Sequence, residues 1–169
     1  MLLSYLARVG TTLAGSAARG RAGPLDELRQ RIRVWPTDID AYGHVNNGRT
    51  LTLMDFGRLD YAARTGLLRV ALRERWRPLL AEATVRFRGE LALLAAVDLV
   101  TRLVYWDDRW CFFEHRLERG DRLFATSYAR VVVKHARATV PPSAVLAAVG
   151  HSGPPPEPPA ALARWASEA

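Results

Sequence analysis

A chain of 169 residues with 49% hydrophobic content has room for one domain with a sizeable core. It lacks any apolar run of the roughly 18 residues that a membrane span requires. Its net charge of +7 comes almost wholly from arginine, Lys134 being the only lysine; this suits phosphate-bearing partners, but the arginines are scattered among acidic residues without a nucleic-acid recognition motif, which argues against nucleic acid.

Residues 1–25 form an N-terminal amphipathic segment, in which Leu2, Leu3, Tyr5, Leu6 and Val9 mix with Arg8, Arg19 and Arg21. Basic residues that follow the apolar ones are the reverse of a secretory leader. The spacing predicts a short helix, either docked on the domain or resting on a membrane surface as a peripheral contact. It ends at Gly23-Pro24.

A first strand is expected over Gln30–Trp35, where Ile32 and Val34 alternate with Arg31 and Arg33 and Pro36 stops the run. The next stretch, Thr37-Asp38-Ile39-Asp40-Ala41-Tyr42-Gly43-His44-Val45-Asn46-Asn47, packs two aspartates, a glycine, a histidine and two asparagines into one turn before a helix. Asn46 and Asn47 are good N-caps, and the positive end of the following dipole faces anything bound beside Asp40. That helix, Gly48 to Ala63, is apolar almost all round and therefore expected to be enclosed by protein. Asp55 and Arg58 stand three apart, spaced to pair on its inward stripe. Gly66 is the expected C-cap.

A shorter helix over Leu67–Trp76 leads to four runs of period-two alternation. Ala83, Val85 and Phe87 oppose Thr84, Arg86 and Arg88 in the first, and Val97, Leu99, Thr101, Leu103 and Tyr105 share a face in the second. Turns at Asp107-Asp108 and Gly120-Asp121 join the runs Trp110–Glu118 and Leu123–Lys134 as antiparallel hairpins. Cys111 is the single cysteine; alternating with Phe113, it reads as a buried thiol of a reducing, cytoplasmic compartment. Residues 26–140 thus form an α+β domain, an antiparallel sheet of about five strands wrapped around a long central helix. Residues 141–169 are a tail with a short helix from Pro141, a stiff proline run at Pro154–Pro159, and a terminal helix, Ala160–Ser167, anchored by Trp165.

No histidine and cysteine cluster has metal-ligand spacing, and no Gly-x-Ser-x-Gly elbow is present. The chemistry therefore rests on the turn. A carboxylate cleaves a thioester by attacking its carbonyl or by serving as general base to water. Asp40 is placed for either, and the backbone N–H of Asn47 is the candidate oxyanion donor. His44 is a candidate for positioning Asp40 or donating to the thioester, with a structural role as the plainer reading. Asp38 is the rival carboxylate, or a cap for the turn. Gly43 and Asn46 are candidate substrate contacts, Asn46 also holding the loop. Arg86 and Arg88 are candidates for coenzyme phosphates, or else a solvated strand face.

The strand, the Asp-x-Asp-x-x-x-His-Val-Asn-Asn turn, the enclosed helix and the meander resemble the hotdog-fold acyl-CoA thioesterases of the 4-hydroxybenzoyl-CoA thioesterase superfamily. Asp55, Arg58, Trp106-Asp107-Asp108 and the tail with Trp165 further resemble its THEM6-like branch. The resemblance implies a hotdog fold, Asp40 as the catalytic aspartate, an acyl-CoA or acyl-carrier thioester as substrate with no further cofactor, and a homodimer or higher homo-oligomer with its site between subunits. Thr50 departs from the tyrosine usual in the family. Two other functions remain open: a hydro-lyase acting on enoyl thioesters through His44, and a non-catalytic or membrane-associated binding protein.

Overall fold

The computed structural model describes residues 2–167. Its elements follow in the order α1 (Leu2–Arg19), β1 (Leu28–Arg33), a 3₁₀ turn (Pro36–Asp38), α2 (Asn47–Thr65), α3 (Leu67–Arg73), β2 (Arg77–Phe87), β3 (Ala96–Trp106), β4 (Cys111–Arg119), β5 (Arg122–His135), β6 (Ala138–Val140), α4 (Pro142–Ala147) and α5 (Ala160–Ser167). All pairings are antiparallel, in the order β1-β3-β4-β5-β2. The short β6, which local patterning did not reveal, pairs with β5 at Val133–His135, beyond the point where β4 ends opposite Val131. The sheet curls around α2 in the hotdog arrangement, with β1 and β2 as its edge strands.

Met54 and Tyr61 of α2 pack with Leu99, Leu103, Phe113 and Leu117 of the sheet's inner face, and Leu53 and Phe56 are buried as well. Gly66 closes α2 at φ 85°, the left-handed backbone that glycine adopts at little cost. Gly57 is required for a different reason: a Cβ there would lie 2.2 Å from Thr101 Oγ1, so the helix approaches β3 more closely than any other residue allows. Beneath it lies a buried polar cluster. Arg58 Nη1 approaches His115 Nε2 at 2.9 Å, and Thr101 Oγ1 approaches Nδ1 at 3.0 Å. A guanidinium only donates, so Nε2 accepts and the ring proton sits on Nδ1, given to Thr101. Burial, and then the Arg58 charge, holds the His115 pKa well below its ordinary value.

Two expectations are corrected. A bulge between Leu103 and Tyr105 flips the strand's alternation, so Trp106 joins the core with Cys111 and Phe113 while Tyr105 packs on the outer face. Asp55 does pair with Arg58, but its side chain is 50% exposed, so the pair stands at the rim where water offsets the desolvation cost. Cys111 is buried, and burial pushes its thiol up to about 12, too high for a nucleophile.

α1 docks along α2 through Tyr5 against Phe56, ring centroids 5.4 Å apart. Leu2, Leu3 and Leu6 remain exposed. No helix among the described residues is long and apolar enough to cross a membrane. α5 lies on the outer face, where buried Leu162 and partly buried Trp165 cover Val104 and Phe112, and Trp165 Nε1 donates to Glu82 at 3.1 Å.

Candidate active site

The loop from Asp38 to Asn46 is folded by its own polar groups. Asp40 N–H donates to His44 O at 2.9 Å and Gly43 N–H to Asp40 O at 3.1 Å, with Gly43 at φ +83° to make the reversal. Asn46 caps α2, its Oδ1 accepting from the N–H groups of Gly48 (2.9 Å) and Arg49 (3.3 Å). The N–H of Asn47, the first residue of the helix, takes no partner among the described residues.

The two aspartates part company. Asp38 is 1% exposed and paired on both oxygens: Oδ2 with Arg8 and the Trp35 N–H, Oδ1 with Arg49 at 3.2 Å. It holds the turn. Asp40 uses only Oδ1, which accepts from the N–H of Tyr42 at 2.9 Å and, more weakly, of His44 at 3.5 Å; among the described residues its Oδ2 takes no hydrogen bond.

Asp40, His44, Asn47 and Thr50 line one pocket of about 630 Å³ together with Phe87, Glu90, Leu91 and Phe124. Three of the residues read from the sequence, Asp40, His44 and Asn47, are thus brought together. Gly43 and Asn46 shape and cap the loop and lie outside the lining. Thr50 is buried, its hydroxyl donating back to Asn46 O at 3.4 Å. Sequence reasoning missed Glu90, whose Oε2 lies 3.0 Å from His44 Nε2. The segment before β3 crosses back onto the loop, with Val45 N–H donating to Leu91 O at 2.9 Å, a contact that no local pattern marks.

Arg86 and Arg88 stand elsewhere. They alternate with Phe87 and so project from the opposite face of β2, into a groove of about 500 Å³ shared with Thr84, Tyr128 and Trp165. Arg29, Arg31, Arg102, Arg116 and Arg130 on the same face are each paired with a carboxylate. Among the described residues, Arg86 and Arg88 have no such partner. No group of three or more metal-ligating side chains occurs among the described residues.

A family model described as the thioesterase-like superfamily matches residues 34–165. The THEM6 protein of Danio rerio is 36% identical over 54% of this chain and 46% of its own length. The thioesterase lcsJ of Purpureocillium lilacinum is 29% identical over 73% of this chain and 48% of its own length. The chain spans about half the length of the curated relatives it matches. Among solved structures, the BH1999 gentisyl-coenzyme A thioesterase superposes with a TM-score of 0.62 and 20% identity, over 72% of this chain and 98% of that one.

Proposed function

Since the chain belongs to the thioesterase-like superfamily, we propose that it hydrolyses an acyl-coenzyme A thioester to the free acid and coenzyme A, with Asp40 as the reacting carboxylate. The observation that carries this reading is the presence, in one pocket, of a carboxylate oxygen on Asp40 and an N–H on Asn47 that take no hydrogen bond among the described residues. As general base, Asp40 takes a proton from water while the water oxygen bonds to the carbonyl carbon. The oxyanion that forms is held by the Asn47 N–H at the positive end of α2. Its collapse expels the thiolate, which takes up the proton. As nucleophile, Asp40 would bond to that carbon, expel the thiolate and leave a mixed anhydride for water to cleave.

Arg86 and Arg88, which have no carboxylate partner among the described residues, receive the coenzyme phosphates, the pantetheine arm turning round the end of β2 at Gly89. The free edge of β2, with Leu79 and Leu80 exposed, supports a homodimer in which that edge is covered. The carboxylate beside His44 favours one alternative, an enoyl hydro-lyase in which Glu90 orients His44.

The test is thiol release from a panel of acyl-CoAs, followed with a thiol reagent. Hydrolysis frees thiol with time. Loss of enoyl absorbance without free thiol would replace the hydrolase by the hydro-lyase, and neither signal would leave a binding protein.

A further inference from the structure

We propose that α1 is a brace for the loop that carries Asp40, with Arg8 as a positioning residue. α1 lies wholly outside the residues matched to the family, yet two buried polar clamps fix it to the domain. At one end, Arg8 is 5% exposed; it pairs with Asp38, donates to Arg33 O at 3.1 Å and lies 4.1 Å from the centre of the Trp35 ring. At the other, buried Asp60 accepts from Ser16 Oγ at 2.6 Å and Arg19 Nη2 at 2.8 Å.

Only the first clamp reaches the loop. Asp38 receives Arg8 from α1, the Trp35 N–H from the chain leaving β1 and Arg49 from the first turn of α2, while its carbonyl accepts the Asn46 N–H at 2.9 Å. Asp40 follows Asp38 by two residues, and Asn47 follows the cap that Asp38 holds. The separation of carboxylate and oxyanion donor is therefore set across Asp38, and Arg8 fixes Asp38 from outside the shared fold. A displacement on the order of 1 Å in such a constellation costs up to about 10² in rate.

The consequence for rate rests on the hydrolase reading; the brace itself does not. In amide exchange of the full chain, Arg8→Met should speed exchange at Asp40 and Asn46 by about tenfold relative to the interior of α2. It should also lower kcat by about tenfold with KM within about twofold, because what is lost is geometry and not affinity. Arg8→Lys, which keeps the charge but not the fork and stacking, should fall between. Ser16→Ala loosens the other clamp and should leave loop exchange and kcat at wild-type values.

A folded Arg8→Met with wild-type loop exchange overturns the brace. So does a Ser16→Ala that matches Arg8→Met in both readouts, since α1 would then act only through overall stability. Should Arg8→Met not fold, Arg8→Lys decides, wild-type loop exchange overturning the brace and faster exchange supporting it. A wild type that releases thiol from no acyl-CoA removes the hydrolase reading alone, and the exchange comparison still decides the brace.

Discussion

Two polar regions flank α2, and they differ in what their groups have left to offer. In the closed region, Asp38 meets Arg8 and Arg49, and farther along the helix His115 is held between Thr101 and Arg58. In the open region, Asp40 and Asn47 line a pocket with one oxygen and one donor that take no partner among the described residues. Asp38 and Asp40 are chemically identical and two residues apart. Burial with full pairing makes one a fixture of the fold, while partial pairing beside a cavity leaves the other with an Oδ2 that takes no hydrogen bond among the described residues.

That contrast breaks first at Asp38. Asp38→Asn leaves Arg8 buried without its counter-charge and should cost about 3–5 kcal/mol, read as a lower urea midpoint at unchanged slope. A loss under about 1 kcal/mol would make the two aspartates equivalent. Gly57→Ala should cost about 1–3 kcal/mol, because its Cβ would meet Thr101 Oγ1; a wild-type midpoint would mean that α2 can lift off the sheet.

The pH profile sharpens the same contrast. Folding lowers the pKa of His115, so below the unfolded value of about 6.5 the unfolded chain binds more protons than the folded one. The stability that His115 contributes is present above that value and is lost as pH falls toward the folded pKa. His115→Gln, which cannot charge, should flatten this part of the profile, and an unchanged profile would place the proton elsewhere. The smallest effect is expected at the outer groove. Arg86→Ala or Arg88→Ala should raise KM about three- to tenfold with kcat and the unfolding midpoint unchanged, since a remote phosphate contact is made equally in ground and transition states. Unchanged KM in both would make them solvated surface.

What the sequence made legible was local. The N-cap Asn46, the C-cap Gly66, the hairpins and the terminal helix with Trp165 each follow from spacing and turn chemistry within a few residues, and they appear where expected. What it hid was distant or irregular. Arg8 reaches Asp38 across thirty positions, and Glu90 reaches His44 from a connection without periodicity. The bulge before Tyr105 reverses an alternation that looked continuous, and Asp55 sits on an apolar helix yet at its wet rim. The turn stood out by its cluster of polar residues, but which of its aspartates is fully paired depended on partners contributed by α1 and α2.

The most direct test is thiol release from acyl-CoA by Asp40→Asn, measured beside the wild type and Asp38→Asn at a temperature where all three are folded. Asp40→Asn keeps the shape and the hydrogen bonds of Oδ1 but removes the charge and the basicity. Its kcat should fall by about 10² or more with the unfolding midpoint intact, while Asp38→Asn loses mainly stability. Wild-type turnover by Asp40→Asn would contradict the assignment, and its loss in Asp38→Asn alone would move the chemistry to the other carboxylate.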